Sequence, residues 1–224
     1  MNEEANGLTE FGVTKFSDLT REEFRSRHLT SRVTRTTKNA GSESSSSKQK
    51  PKPKPPGPPG PPGPMIAIDW RTKGPNPPIY DALKCGSCWA FSAVEVLEIL
   101  ISVRDKKLVR LSKQQLVDCS TKNLGCSGGW ADYALEYIQK NGVVLDSAYP
   151  YKGVEGTCHL PKPTGTNYRI KSFTAVKGEK GFLDALATSP ILVMMDAESF
   201  LGFVKMASFK GLCDLGKEGY KVTL

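Results

Sequence analysis

Two cysteines three positions apart, followed at once by a tryptophan, are the residues of this chain best suited to chemistry: Cys85-Gly86-Ser87-Cys88-Trp89. Three chemistries use such a pair. A metal site needs further Cys or His ligands at similar spacing. The 224 residues hold six cysteines, two histidines and no second Cys-x-x-Cys. A thiol–disulfide redox pair wants a βαβ setting, which the surrounding pattern lacks. A nucleophilic thiolate wants the thiol at a helix N-terminus with a histidine close in space. The run SCWAFSAVEVLEILISV, from Ser87 to about Val103, is apolar on most sides and predicts a buried helix opening at Cys88. The histidine is harder to place. His28 lies far upstream, and His159 follows Cys88 by 71 residues and adjoins Cys158, where an exposed loop histidine is the default reading.

The elements that must position the thiol read mainly helical at first. Ser112-x-x-Gln115 caps a second helix running to about Cys119. Trp130 to Lys140 is a third, closed by Asn141-Gly142. Beyond it, Tyr168 to Val176 alternates roughly as a strand, Gly181 to Ala187 is a short helix stopped by Pro190, and ILVMM (191–195) is a buried strand. Helices first and strands after predict an α+β fold of two lobes. Upstream, Thr20-x-x-Glu23 is a capping box that starts a short helix.

Composition separates these elements from the rest. The chain carries 31 Lys+Arg against 23 Asp+Glu, a formal +8. Positions 26–54 hold eight basic residues against Glu43 alone, in a Ser-, Thr- and Lys-rich stretch with few large apolar residues. Its composition argues a solvated, disordered linker. A nucleic-acid arm would bring interleaved aromatics or a basic helix face, so nucleic acid is excluded as the main partner. Residues 51–64, PKPKPPGPPGPPGP, hold nine prolines and three Pro-Pro-Gly triplets. Three triplets are too few for a collagen helix. The stretch reads as a polyproline II spacer, with a proline-motif-binding partner as the alternative. No apolar run approaches the roughly 20 residues of a membrane helix. The opening MNEEANGLTE lacks the basic flank and apolar stretch of a secretory signal.

The motifs around Cys88 resemble the papain family of cysteine proteases. The quoted segments are CGSCW (85–89), IDWRTKG (68–74), LSKQQLVDCS (111–120), GCSGGW (125–130), AYPYKG (148–153) and TCH (157–159). FGVTKFSDLTREEF (11–24) is similar to the family's inhibitory propeptide. The resemblance implies a partial propeptide over 1–29, a linker over 30–64 and a papain-like peptidase domain over 65–224. That domain would have a helical left lobe and a β-rich right lobe that is C-terminally incomplete. It implies disulfides Cys85–Cys126 and Cys119–Cys158, with Cys213 lacking its partner. It also implies a lysosomal or extracellular setting, since disulfides need an oxidising compartment. Peptide substrates or inhibitors and the chain's own propeptide are the expected partners, with no cofactor and no metal.

In that family a thiolate attacks the peptide carbonyl, an imidazolium assists, a glutamine side chain helps hold the oxyanion and an asparagine orients the histidine. Cys88 matches the nucleophile. The resemblance puts Gly128 and Gly129 along the substrate backbone, and Trp130 and Ile191 beside the substrate's penultimate residue. The glutamine position is Ala82. With Val222 aligned to the strand after the family histidine, Tyr220 takes the histidine position, and a shift of one gives Gly219 or Lys221. The chain ends 136 residues after Cys88, before an orienting asparagine. Proteolysis is therefore expected to be absent or severely impaired. The rivals are a non-catalytic binding module and an active cathepsin-like protease represented by a truncated chain. Two physical expectations follow. Without an imidazolium, the helix dipole alone would lower the Cys88 pKa by well under one unit from about 8.5. The right lobe would end on a strand left as an unpaired edge and be loosely held.

Overall fold

The computed structural model describes residues 9–11, 18–20, 22–23, 68–160, 167–194, 204–207 and 219–224, with 9–11 and 204–207 described by their backbone alone. Residues 1–33 and 68–224 form one compact unit. The second unit, 34–67, lies outside the described residues, as do His28, the Pro-Pro-Gly triplets and Cys213.

Helix α1, Cys88–Asp105, is the axis of the core. Trp89, Ala90, Ala93, Val94, Leu97 and Ile101 are all buried on it, so covering it takes several neighbours. It stops where Lys106 turns left-handed at φ 55° and returns its N–H to Ser102 O. Helix α2, Lys113–Cys119, starts as the capping pattern predicts: Ser112 Oγ accepts from Gln115 N at 2.9 Å. The same hydroxyl donates to Tyr149 O at 2.6 Å. Helix α3, Ala131–Asn141, ends at Gly142, whose φ of 76° suits glycine. Both α2 and α3 pack against α1. The capping box also forms: Thr20 N and Oγ1 donate to Glu23 Oε2, and Glu23 N donates to Thr20 Oγ1.

The strands are β1 (Thr9–Phe11), β2 (Ser172–Val176), β3 (Ile191–Val193), β4 (Val204–Ala207) and β5 (Gly219–Thr223). Helix α4, Gly178–Leu186, joins β2 to β3. β1 pairs antiparallel with β4. The other three form an antiparallel sheet in the order β2-β5-β3. This overturns one expectation: the last strand is the middle of the sheet and not an unpaired edge. Tyr220 pairs with Ala175 on one side and with Leu192 on the other. Two boundaries also differ from the sequence reading. The strand begins at Ser172 because Tyr168 is engaged elsewhere, exchanging backbone hydrogen bonds of 2.8 and 2.9 Å with Val143. Helix α4 begins at Gly178, three residues early, in a first turn that carries no apolar residue for periodicity to register.

One buried charge sits inside this packing. Glu98, on α1, is fully buried, and its Oε1 accepts from Lys113 Nζ and from Leu111 N, each at 2.6 Å. Lys113 is itself 2% exposed and lies 3.9 Å from the centre of the Tyr80 ring. Burial pushes the Glu98 carboxyl above the usual carboxylate range, and Lys113 pulls the other way. Burial also pushes Glu95 up. A carboxyl raised in the folded state adds stability below its unfolded pKa of about 4.3, and loses it as pH rises through the folded value.

Two predictions follow from these arrangements. Lys113→Met strands the Glu98 charge and should cost about 3–5 kcal/mol near neutral pH. Its thermal midpoint should fall more steeply than wild type between about pH 5 and 8, and Glu98→Gln in the same background should flatten that slope; a slope matching wild type would refute the coupling. Lys221→Pro deletes a ladder donor in a central strand and should cost about 3 kcal/mol in urea unfolding. An edge strand would absorb it with little loss.

Candidate active site

Cys88 is the first residue of α1 and is exposed, the one free cysteine among the described residues. Its approach is pinned from behind. Cys85 is bridged to Cys126, and Gly86 N donates to Cys126 O at 2.8 Å. One residue further on, Trp89 is buried and its Nε1 donates to Gly125 O at 3.2 Å. The thiol edge therefore reaches solvent while the atoms below it are closely packed. That packing pushes the Cys88 thiol above its ordinary range, against the amides of Trp89 and of Cys88 itself, which pull it down. The direction corrects the sequence expectation. The helix terminus does help the thiolate, but loss of solvent outweighs it, and among the described residues no charged group acts on the sulfur.

Ala82 stands on the other side of the Cys85–Cys88 loop. Its segment has little secondary structure and is fixed by side chains. Tyr80 packs against Phe91 of α1, ring centres 6.1 Å apart, and receives Arg110 Nε on its hydroxyl at 3.1 Å. Asp81 Oδ1 accepts from Leu83 N at 2.9 Å, and Leu83 adopts φ 56°, a left-handed conformation uncommon for a branched side chain. Ala82 O accepts from Tyr151 Oη at 2.8 Å. Tyr151 packs edge-on to Phe91 at 4.9 Å and meets Ser87 Oγ at 2.8 Å. Ala82 is thus tied through Tyr151 to Ser87, next to Cys88.

The glycine pair lies on the disulfide side. Gly128 has φ 124°, and a Cβ at Gly129 would meet Asn123 Oδ1 at 2.5 Å and Trp89 Cδ2 at 2.7 Å. Asn123, buried, accepts from Trp130 N at 2.7 Å and donates to Ser120 Oγ at 3.0 Å. Both bonds fix the backbone leading into α3. The half-buried Trp130 is the N-cap residue of that helix.

Tyr220 and Ile191 come from the sheet. Tyr220 is 4% exposed, edge-on to Phe173 at 6.0 Å, in the same core cluster as Trp89, Ala90 and Val94. Ile191 opens β3 opposite Lys221 and packs on Val176, Phe182 and Ala185. His159 is exposed. Its N–H donates to Tyr149 Oη, and its neighbour Cys158 is bridged to Cys119, the last residue of α2. Both disulfides implied by the resemblance are therefore present. The structure gathers Cys88, Ala82 and the glycine pair around one loop, while His159 is tied to Tyr149. Sequence reading missed Tyr151, Asn123 and Lys113. A Tyr in AYPYKG and an Asn before a glycine turn carry no local signal of long-range hydrogen bonding. Among the described residues, no three His, Cys, Asp or Glu residues form a group that could hold a metal, and no helix is long and apolar enough to cross a membrane.

Comparison with known proteins gives a consistent picture. The family model for papain family cysteine proteases matches residues 65–217. Caricain from Carica papaya is 35% identical over 90% of this chain and 56% of its own length. Zingipain-1 from Zingiber officinale is 39% identical over 69% of this chain and 72% of its own. A solved cysteine protease of Carica candamarcensis, CMS1MS2 in complex with E-64, superposes with a TM-score of 0.59 at 25% identity, over 70% of this chain and 97% of that one. Procathepsin L2 from Tenebrio molitor shares the fold, with a TM-score of 0.72 at 22% identity over 100% of this chain and 87% of that one. The chain spans about half the length of several curated relatives, 56%, 42% and 58% in three of them. With the matched motifs, both bridges and the α+β fold in place, the chain belongs to the papain family of cysteine proteases.

Proposed function

We propose that this chain is a thiol endopeptidase by ancestry whose peptidase chemistry is impaired. The side chains at Ala82 and Tyr220, the positions that the resemblance aligns with the oxyanion glutamine and the histidine, carry this reading, and the state of the Cys88 thiol agrees with it. A nucleophile of this type works as a thiolate, and a cation beside it normally keeps it ionised at neutral pH. Here packing raises the thiol, and the two backbone amides are its described support. A thiol held above its ordinary range is mostly protonated at neutral pH. The aligned positions support the same conclusion. Ala82 has no side-chain donor to offer an oxyanion, and one such donor is worth about 10²–10³ in rate. Tyr220 cannot act as an imidazole would, and its ring is committed to the sheet core. The peptide-binding side of the cleft is better preserved than the chemistry, through Gly128, Gly129 and Trp130. Peptides or protein inhibitors are thus the expected ligands, and two disulfides favour an oxidising, lysosomal or extracellular setting.

A non-catalytic role has its own support. Thr9–Phe11, within the propeptide-like segment, adds a strand to Val204–Ala207. Main-chain pairing of this kind holds a segment in place without any chemistry, which fits a chain that binds its own propeptide in cis.

Turnover and titration test the reading together. The purified protein should hydrolyse peptide amides no faster than background and should not be titrated stoichiometrically by E-64, the compound held by the Carica candamarcensis relative. Turnover abolished by Cys88→Ser would overturn it. The alkylation rate of Cys88, followed by mass spectrometry of its peptide, should still be climbing past the ordinary thiol value of about pH 8.5. A plateau reached by about pH 5 would mean that a cation has replaced the missing histidine.

A further inference from the structure

Past the last turn of α1 lies a cleft of about 410 Å³, within the roughly 300–1,000 Å³ typical of small-ligand sites. Three segments line it: 107–110, 145–147 and Tyr168. Backbone hydrogen bonds lace these segments together. Asp146 N donates to Arg110 O at 2.9 Å, Ser112 N donates to Val144 O at 3.0 Å, and Val143 and Tyr168 bond each other in both directions. The fold itself therefore holds the cleft in shape.

Its lining has two characters. Leu145, 41% exposed, and the half-buried Leu108 and Tyr168 present apolar surface. Lys107 and Arg110 bring positive charge. Among the described residues neither is in an ion pair, whereas Arg104 is met by Asp105 at 2.6 and 2.8 Å. Arg110 gives its Nε to the Tyr80 hydroxyl, an uncharged partner. Lys106 likewise gives its ammonium to a backbone carbonyl, Lys73 O, at 2.7 Å and keeps its charge. Compensation of the helix dipole accounts for cations in the final turn of α1, but Lys107 and Arg110 lie beyond it. One carboxylate, Asp146, shares the cleft, and its charge acts on Arg110.

We propose that this cleft binds a short acidic peptide segment that carries an apolar side chain. Its carboxylates meet Lys107 and Arg110, its apolar side chain lies on Leu145, Leu108 and Tyr168, and a backbone N–H is available for Asp146. The carboxylate inside the cleft decides against a uniform polyanion such as a sulfated polysaccharide. That ligand carries the same charge along its length and has no aliphatic side chain for Leu145. A peptide can place charge and apolar surface separately. Neither Cys88, Ala82 nor the glycine pair lines this cleft, so the inference is independent of how the peptidase chemistry is read.

The test is a titration of the full chain with acetyl-Glu-Leu-Glu-amide, followed by the backbone amide signals in two-dimensional NMR. Signals from 107–110 and 145–147 should move. Acetyl-Glu-Ser-Glu-amide, which lacks the apolar side chain, should bind about fivefold more weakly. Acetyl-Lys-Leu-Lys-amide should not bind there. Lys107 is exposed, so Lys107→Glu should fold and should weaken the acidic apolar peptide about tenfold or more. Leu145→Ser should weaken it severalfold. Raising salt from roughly 20 to 300 mM should also weaken it, since the charges involved are open to solvent. The proposal is overturned if no signal in these segments moves, if the lysine peptide binds as well, or if Lys107→Glu binds like wild type. Shifts confined to Cys88 and the glycine pair overturn it by placing the peptide elsewhere. A heparin hexasaccharide that moves the same signals more tightly than the peptide, undiminished in Leu145→Ser, would make the cleft a polysaccharide site and overturn the peptide assignment. Shifts that follow protein concentration alone would overturn it in favour of a second copy of the chain.

Discussion

Glu98 sits midway along α1 with no access to water, and much of the surrounding arrangement answers to its charge. An ionised carboxylate in such a place must be paired and hydrogen-bonded or it shifts towards neutrality. Lys113 and the Leu111 amide meet it from the start of α2. Lys113 in turn is buried, and its remaining faces need a partner that is not water; the Tyr80 ring supplies one. Tyr80 belongs to the otherwise irregular segment that carries Ala82. A charge placed inside α1 thereby fixes where the segment beside Cys88 runs. From Ala82 the hydrogen bonds continue through Tyr151 to Ser87 and so to the first turn of α1. The helix that carries the thiol and the loop that faces it are joined twice, once at each end of the same segment.

That rigidity bears on the thiol in two opposed ways. Cys88 opens α1, where the amides of Trp89 and of Cys88 itself pull its thiol down and favour the thiolate. Close packing removes water, which disfavours it, and here the second effect is larger. Each pKa unit is worth 1.36 kcal/mol, whereas an exposed helix terminus supplies about 0.3–1 kcal/mol. The terminus alone cannot offset more than a fraction of a unit of desolvation. A neighbouring imidazolium would add a full opposite charge at short range, an interaction of a different order in a site with little solvent. On the proposed reading, that is the group this thiol would need.

The parts legible in the sequence were those decided locally. Ser112 and Gln115 cap α2 because a hydroxyl three residues before an amide needs nothing else nearby, and Gly142 closes α3 for an equally local reason. The apolar faces of α1 announced a buried helix. The β5 strand was legible as a strand but not as the centre of its sheet, since its partners lie about 30 and 50 residues upstream and no local pattern ranks them. Lys113 illustrates the same limit. In LSKQQLVDC it looks like a solvent-facing residue in a helical first turn, and only Glu98, fifteen positions earlier, makes its burial tolerable. Within the site, Cys88 and the glycine pair were legible from motif, while the direction of the thiol's pKa depended on packing that no motif encodes.

Fold stability and site chemistry can rest on different side chains. Ala82 is held through its backbone carbonyl, so the identity of its side chain does not matter to the bond from Tyr151. Tyr220 lies in the middle of a three-stranded sheet, packed on Phe173, where an aromatic ring buries more apolar surface than an imidazole would. Neither residue weakens the core, and Tyr220 adds to it. The two disulfides, the Glu98–Lys113 pair and the Ser112 cap all lie in the helical region, close to the thiol or to the elements that support it. A chain built this way can keep its fold when the side chains at positions such as 82 and 220 change.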